Sequence, residues 1–236
     1  MPEETPVAFV YNGRNYAVML ASPLDLADFA VGFSLTERVV DAPDEIEAID
    51  IHCSLRGVDL KMKIDAERLE RLDIRQQRRN LVGRAGCGVC GLENADVFFE
   101  TLPKVAGGAV ELDAGALSRA ASGLQDRQPL NQRTRTVHAA AWASPEGAIR
   151  TVREDVGRHN ALDKLLGSLA LSQTDMTDGF VMMSSRCSYE IVEKSARCGV
   201  TALAAISAPT DFALRKAREA NLSVYCRAQD GFVRLA

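Results

Sequence analysis

The sequence predicts an α/β protein with two domains, a smaller N-terminal α+β domain and a C-terminal domain built on a mostly parallel mixed sheet. From about residue 112 onward, strand-like and helix-like runs alternate, which is typical of a sheet covered by helices. The 236 residues are 47% apolar, enough for one large core or two small ones. The segment between these regions contains residues that disfavour regular structure: Pro103, Gly107 and Gly108. We therefore expect domains at 1–108 and 109–236.

The N-terminal part begins with a predicted β-hairpin. The runs "VAFVYNG" and "NYAVML" flank Asn12-Gly13, a dipeptide that favours a tight hairpin turn. A helix is expected next, with Ser22 as its N-cap and Pro23 at its first position. Asp25, three residues after Ser22, resembles the acidic residue of a capping box. Two further strands are predicted at 47–55 and 58–64.

The C-terminal part carries the alternating pattern. Its helices are predicted at 114–128, 158–170, 188–198 and 210–221, and its strands at 136–145, 148–155, 179–185, 200–207, 222–228 and 231–236. In the second helix, four leucines at helical spacing form one apolar face: Leu162, Leu165, Leu166 and Leu169. Such a face is expected to pack on the sheet.

Charge and composition exclude several classes of protein. A net charge of −4 argues against general attraction to nucleic acid or to an anionic membrane. The N-terminus has no basic stretch followed by an apolar run, and the apolar run "VTALAAISA" is far shorter than a membrane span. We therefore expect a cytoplasmic protein. Because thiols stay reduced there, the six cysteines are interpreted as ligands, reactive groups or core residues.

The stretch "GRAGCGVCG" presents Cys87 and Cys90 in a glycine-rich Cys-x-x-Cys loop. A structural zinc site would need a second pair of ligands, and the sequence has no second Cys-x-x-Cys. A redox pair of the thioredoxin type normally opens a helix, which so many glycines disfavour. A loop with incidental cysteines and a loop that carries sulfur are the other two interpretations.

A basic flank distinguishes this loop. Arginines without an intervening acid precede it, at Arg75, Arg78, Arg79 and Arg84. They could form a solvated helix face, but nearby cations also favour the nucleophilic thiolate over the thiol. A mobile loop would allow one thiol to reach a sulfur donor and then an acceptor. The remaining cysteines are interpreted as packing residues: Cys53, Cys187, Cys198 and Cys226.

Three polar junctions follow predicted strands in the C-terminal half. The first, within "VREDVGRHNALDKLLG", places Arg158 and His159 at a helix start, where free N–H groups and the helix dipole favour anions. A capping network with surface ion pairs is the alternative. The second junction holds Ser184, Ser185 and Arg186, and the third is "SAPTDFA". Since ligands of open α/β sheets bind at the carboxyl ends of strands, we expect one anion site formed by all three. His138 is interpreted as an ordinary strand residue.

Together these stretches resemble the formate dehydrogenase accessory sulfur-carrier family (FdhD). The resemblance extends along most of the chain and is strongest at "GCGVCG", at "REDVGRHNALDKLLG" and from "SSRCSYEIVEKSARCGV" to "ISAPTDFA". It implies that the C-terminal domain is a three-layer domain like that of cytidine deaminases. A carrier that binds a cofactor with two nucleotides is expected to be a homodimer.

The resemblance implies the following activity. A cysteine desulfurase supplies sulfur, held as a persulfide on Cys87 with Cys90 as its partner. The sulfur passes to the molybdenum (or tungsten) bis-molybdopterin guanine dinucleotide cofactor before that cofactor enters the formate dehydrogenase apoenzyme. The cofactor would be a transient ligand, with no permanently bound metal. Its expected contacts are Arg158, His159, Ser185 and Arg186 together with Tyr225, Cys226, Arg227, Ala228, Gln229 and Asp230.

Two other functions are considered. A non-catalytic chaperone would bind the molybdenum cofactor and present it to the apoenzyme without using either cysteine. Deaminase chemistry is not expected, because zinc deaminases need His-x-Glu and a later Pro-Cys-x-x-Cys. In this sequence His138 is followed by two alanines, and the Cys-x-x-Cys lies upstream without the proline. The expected protein is thus a sulfurtransferase-like carrier.

Overall fold

The first four strands form a mixed sheet, seen in a computed structural model that describes residues 3–70, 72, 100–107 and 110–236. The strand order is β2-β1-β4-β3; β1 and β4 are parallel, and the other neighbours are antiparallel. The elements are β1 (Thr5–Tyr11), β2 (Arg14–Ala21), α1 (Leu26–Thr36), β3 (Ala48–Ser54) and β4 (Gly57–Lys63). Both strand pairs expected from the sequence are confirmed.

The hairpin turn at Asn12-Gly13 is also confirmed. Both residues have positive φ, 48° and 80°, as a tight hairpin turn requires. The Asn12 side chain extends the turn to β4, because its Nδ2 donates to the Ile64 carbonyl at 2.7 Å and its Oδ1 accepts from the Ile64 N–H at 2.9 Å. The turn therefore fixes the hairpin on the neighbouring strand.

The predicted start of α1 is wrong. The helix begins at Leu26, after Asp25 in the left-handed region (φ 53°), and Ser22 does not cap it. Ser22 instead contacts the C-terminal half of the chain, where its N–H donates to Asp155 Oδ2 and its Oγ accepts from the Val156 N–H. Tertiary contacts with a distant strand thus replace a local cap.

The C-terminal sheet has six strands in the order β10-β9-β8-β7-β5-β6. Its strands are β5 (His138–Ala143), β6 (Ile149–Asp155), β7 (Phe180–Met183), β8 (Ala202–Ala205), β9 (Ser223–Ala228) and β10 (Gly231–Arg234). Its helices are α2 (Ala114–Asp126), α3 (Pro129–Thr134), α4 (Arg158–Leu171), α5 (Tyr189–Arg197) and α6 (Asp211–Glu219). Each element predicted in this half is present, and α3 is a further short helix that was not predicted.

The sheet is mixed, as expected, but it is not mostly parallel. Only the pairs β7–β8 and β8–β9 are parallel among the five pairs of this sheet. The reason lies in two short connections, since strands joined by a tight turn must run antiparallel. One joins β5 to β6 through Gly147 (φ 87°), and the other joins β9 to β10 through residues 229–230.

Helices cover both faces of the C-terminal sheet, which gives three layers. On one face, a core that includes Trp142 and Leu203 packs against α4, α5 and α6. On the other face, α2 contributes Leu117 and Leu124 to a second cluster with Met182. The predicted leucine face of α4 is confirmed, because all four of its residues are buried in the first core: Leu162, Leu165, Leu166 and Leu169.

The two halves of the chain are in close contact. Helices α1 and α4 cross where a Cβ added to Gly32 would lie 1.8 Å from the Asp163 carbonyl oxygen. Leu102 and Val105 already belong to the core of the C-terminal sheet. The division at 1–108 and 109–236 stays a prediction. In the part of the chain that the structure describes, every helix is too short or too polar to cross a lipid bilayer.

Candidate functional site

The three polar junctions lie at one edge of the C-terminal sheet, as the sequence predicts. Strands β6 and β7 are both antiparallel to β5 and therefore run in the same direction, and β8 and β9 are parallel to β7. The carboxyl ends of these four strands thus share an edge with the start of β5. We call this the ligand edge, and it consists of residues 137–138, 155–160, 184–190, 206–211 and 227–230.

Part of the first junction is a buried polar network rather than a ligand site. Asp155 and Lys164 are both fully buried, with Oδ2 and Nζ 2.7 Å apart. Asp155 also accepts from the N–H groups of Ser22 and Gly157 and from Asn160 Nδ2, at 2.8–2.9 Å. Asp155 and Lys164 are thus fully engaged in joining the start of α4 to the segment after β2.

Two more polar residues of this run are structural. Glu154 accepts from the N–H groups of Leu130 and Asn131, both at 2.8 Å, and so caps the start of α3. Arg153 donates through Nε to Asp28 Oδ2 at 2.7 Å, which links β6 to α1. For these residues the capping and ion-pair interpretation is correct.

Arg158 and His159 differ from their neighbours. Within the described residues, Arg158 Nε and His159 Nε2 are buried and have no hydrogen-bond partner. Gly157 is the N-cap of α4, so no side chain caps the helix. Free N–H groups, the positive end of the helix dipole and two basic side chains therefore coincide at the ligand edge. This combination fits an anion.

Glu190 belongs to the same site, although no sequence pattern identified it. Its Oε2 lies 3.6 Å from His159 Nε2 and accepts the Ser188 hydroxyl at 2.8 Å. Contact with His159 and the bond from Ser188 lower the pKa of Glu190 to about 2, so the carboxylate stays charged at neutral pH. Glu190 could have been identified only from the adjacency of the first and second junctions, and that adjacency depends on the strand order.

His138 also lies at the ligand edge, opposite Asp155 in the sheet register. Burial lowers the pKa of His138, and the neighbouring Arg158 and His159 lower it further. The ring is therefore held in its neutral form at neutral pH. The sequence interpretation treated this histidine as an ordinary strand residue, whereas the structure places it beside the basic groups of the first junction.

The second junction offers one exposed charged side chain, Arg186. Ser184 Oγ accepts from the Ala139 N–H at 2.8 Å and so fixes the start of β5. Ser185 is 4% exposed and donates through Oγ to the Arg186 carbonyl at 3.1 Å. The two hydroxyls thus shape the junction, and the guanidinium remains directed to solvent.

The segment 225–230 divides into a buried and an exposed part. Tyr225 is buried, and its hydroxyl donates to the Val110 carbonyl and accepts from the Leu112 N–H. Cys226 is buried in the core. Internal packing and hydrogen bonds use these two side chains, and the expectation that the two residues contact the cofactor stays a prediction. The other four residues are exposed at the ligand edge: Arg227, Ala228, Gln229 and Asp230.

Most of the described cysteines are packing residues. Cys187 and Cys226 are core residues, and Cys198 packs against the same core, as expected. Burial raises the pKa of Cys198 to about 12 and that of Cys226 to about 11, and it raises the pKa of Cys187 further. Cys53 is exposed, so its assignment as a packing residue is wrong.

The Cys-x-x-Cys loop lies outside the described residues, as do its four arginines. Among His, Cys, Asp and Glu side chains that the structure does describe, no group of three could hold a metal ion.

The fold and the site define a mixed α/β protein with two sheets and a basic ligand edge on the larger one. Comparison with known proteins places it more narrowly: the model of the FdhD/NarQ family matches residues 2–234, and the chain belongs to that family. The family resemblance inferred from the motifs is thereby confirmed.

Two relatives illustrate the similarity. The chain is 48% identical over 227 residues to a protein of Xanthomonas campestris pv. campestris (strain B100) named sulfur carrier protein FdhD, covering 96% of this chain and 80% of that one. It is 47% identical over 235 residues to the Chromobacterium violaceum protein of the same name, covering 98% of this chain and 86% of that one.

A solved structure shares the fold. It is a crystal structure from Desulfotalea psychrophila, described provisionally as that of a formate dehydrogenase accessory protein. It matches with a TM-score of 0.74 and 21% identity, over 98% of this chain and 86% of that chain. At this level of identity the match supports the two-sheet fold alone.

Proposed function

We propose that this protein is a sulfur carrier for formate dehydrogenase. The observation that carries the proposal is membership of the FdhD/NarQ family over residues 2–234. The relatives at 47–48% identity that are named sulfur carrier protein FdhD support it. The carrier takes sulfur from a cysteine desulfurase and transfers it to the bis-molybdopterin guanine dinucleotide cofactor, which is its substrate.

In this proposal, Cys87 is the group that receives sulfur. Its thiolate attacks the outer sulfur of the desulfurase persulfide, a new S–S bond forms on Cys87, and the donor cysteine leaves as a thiolate. The arginines before the loop favour the Cys87 thiolate. The Cys90 thiolate then attacks the inner sulfur of the persulfide, a Cys87–Cys90 disulfide forms, the outer sulfur leaves as sulfide to the metal of the cofactor, and a cellular thiol reductant returns both cysteines to thiols.

The buried cysteines are poor competitors for this step. Because burial raises the pKa of the thiols of Cys187, Cys198 and Cys226, little thiolate is present at neutral pH. Cys53, exposed on β3, is the one described cysteine open to a sulfur donor. It is therefore the natural control for sulfur loading at the loop.

The ligand edge is the proposed binding site of the nucleotide ends of the cofactor. Arg158, His159 and Arg186 present basic groups at helix starts, where phosphates are favoured. The exposed turn after β9 extends the same edge. Three residues of the proposed site have buried side chains, and they would contribute main-chain groups and packing: Ser185, Tyr225 and Cys226.

Intact mass spectrometry tests the carrier step directly. After incubation with a cysteine desulfurase and cysteine, we expect the wild-type protein to gain one sulfur that a reductant removes. The Cys87→Ser variant should not gain it, because the accepting thiol is absent, and Cys53→Ser should gain it like wild type.

Two outcomes would contradict the proposal. Equal loading of Cys87→Ser and wild type would place the sulfur elsewhere. If the wild-type protein gained no sulfur but bound GDP, the cofactor chaperone would be the better explanation. Formate dehydrogenase activity in cells carrying Cys87→Ser separates the same two functions, because the chaperone does not need the thiol.

A further inference from the structure

The contact between α4 and α5 at the ligand edge contains an acid in a site that otherwise fits an anion. Glu190 follows the N-cap of α5 and lies against His159 of α4, at 3.6 Å between Oε2 and Nε2. An unpaired carboxylate here would repel a phosphate. Its presence therefore requires an explanation beyond chance.

We propose that Glu190 is a positioning residue for His159. Together with Ser188, it holds the imidazole so that Nε2–H faces the carboxylate and the unprotonated Nδ1 is left to accept a hydrogen bond from an N–H group of the guanine base. The inference rests on the proposed function, because the ligand considered is the guanine nucleotide end of the cofactor. It adds Glu190 and Ser188 to the site and assigns each nitrogen of the His159 ring.

Three observations support this arrangement. The Ser188 hydroxyl donates to the same oxygen, Oε2, that faces His159, at 2.8 Å, which restricts the Glu190 side chain. Both side chains of the pair are largely buried, with 16% of His159 and 22% of Glu190 exposed. Within the described residues, Nε2 has no hydrogen-bond partner, and Glu190 is its ion-pair partner.

The distance of 3.6 Å is longer than a hydrogen bond. Contacts at functional sites are often long without ligand and tighten on binding. The geometry favours that closure, because the bond from Ser188 already holds Oε2 of Glu190 on the side that faces the ring. Asp155, the other carboxylate of this junction, is already paired with Lys164, and His138 is held neutral.

A simpler explanation also exists for Glu190. An acidic residue in the first turn stabilises a helix through its dipole, and Ser188–Glu190 could serve α5 alone. That explanation predicts a small loss of stability when Glu190 is replaced and no effect on the His159 ring. The two explanations therefore differ in a property of the ring that can be measured without ligand.

The ligand-free test is the tautomer of His159, read by ¹⁵N NMR. The chain has three histidines, so single substitutions assign the signals. At about pH 8.5 an ordinary imidazole is neutral. We expect wild type to carry the proton on Nε2, facing Glu190. Glu190→Ala should give a mixture of tautomers, and Glu190→Gln, which keeps an acceptor oxygen, should restore most of the wild-type signal.

The ligand test is GDP affinity measured by calorimetry on the same proteins. We expect Glu190→Ala to raise the Kd about tenfold, the scale of a lost hydrogen bond to a charged group, and Glu190→Gln to raise it less. Glu193→Ala is the matched control, because Glu193 lies on the same helix and pairs with Arg197. It should change neither the tautomer nor the Kd.

The outcomes separate the two proposals. A His159 tautomer that does not respond to Glu190→Ala would overturn the positioning role, and so would an altered tautomer with an unchanged GDP affinity. If wild type had the expected tautomer but bound no GDP, nucleotide binding at the ligand edge would be wrong, while orientation of the ring by Glu190 would stand.

Discussion

At the residue scale, the polar run after β6 serves two purposes that alternate along the chain. Asp155 and Lys164 face inward and form a fully buried pair, while Arg158 and His159 face the ligand edge. A buried charge is tolerated only when it is paired and hydrogen-bonded, and Asp155 has four such contacts. The same segment therefore fixes the fold and presents the site.

Replacing Lys164 should destabilise the fold, because the Asp155 carboxylate would stay buried without its partner. Lys164→Met leaves the Asp155 carboxylate buried without its cation, and we expect a loss of about 3 to 5 kcal/mol in unfolding free energy, measured by urea denaturation. Lys63→Met is the control, because Lys63 pairs with Glu47 at the surface and its side chain is 69% exposed. Equal midpoints for the two variants would contradict the assignment.

At the element scale, the crossing of α1 and α4 sets how the two halves of the chain meet. A Cβ atom added to Gly32 would lie 1.8 Å from the carbonyl oxygen of Asp163. A Cβ atom added to Gly167 would lie 1.9 Å from the carbonyl oxygen of Asp28. These neighbours are backbone atoms, which cannot rotate away. Glycine is therefore required at both positions by close approach of the helices.

The crossing predicts the effect of a single methyl group. Gly167→Ala should push the helices apart and lower the unfolding free energy by about 1 to 3 kcal/mol, observed as a lower urea midpoint. Gly123→Ala in α2 is the matched control, since its nearest neighbour is the flexible Ile149 side chain at 3.3 Å. There the gain in helix propensity should roughly offset a small adjustment. A fully stable Gly167→Ala would show that the helices can separate.

At the scale of the whole molecule, polar contacts join the two halves. Thr36 Oγ1 donates to Asp163 Oδ1 at 2.8 Å and accepts from Lys194 Nζ at 2.9 Å, and Arg153 bonds Asp28. Burial raises the pKa of Asp163 despite the opposing effect of Lys194. Such contacts demand specific geometry, so they favour one arrangement of the loop-bearing half relative to the ligand edge.

The stability of the whole molecule should depend on pH through His138. Burial lowers the pKa of His138 in the folded state, so the unfolded chain takes up the proton first as the pH falls. His138 therefore weakens folding increasingly below about pH 6.5, the ordinary histidine pKa. We expect His138→Gln to reduce the fall in urea midpoint between about pH 7.5 and about pH 5.5.

The control for this prediction is His52→Gln, because His52 lies exposed on strand β3. It should keep the wild-type dependence on pH. If His138→Gln kept the wild-type slope as well, the loss of stability would have to come from other groups.

Sequence by itself determined the elements, because strand and helix periodicity and turn residues are local. Asn12-Gly13 predicted its hairpin, the leucines of α4 predicted its buried face, and the family motifs predicted membership of FdhD/NarQ. Convergence of the polar junctions was an expectation from the same strand pattern, and the strand order and directions confirm it. Cys87 and Cys90 remain predictions from sequence and family.

Only the tertiary structure decided which polar side chains remain for a ligand. Asp155, Ser22 and Tyr225 are engaged by residues more than 100 positions away, and no local pattern encodes such partners. The same holds for Glu190, which reaches His159 because the strand order brings α4 and α5 to one edge. Hydrogen bonding and burial depend on which atoms meet in space, and a one-dimensional pattern records only neighbours along the chain.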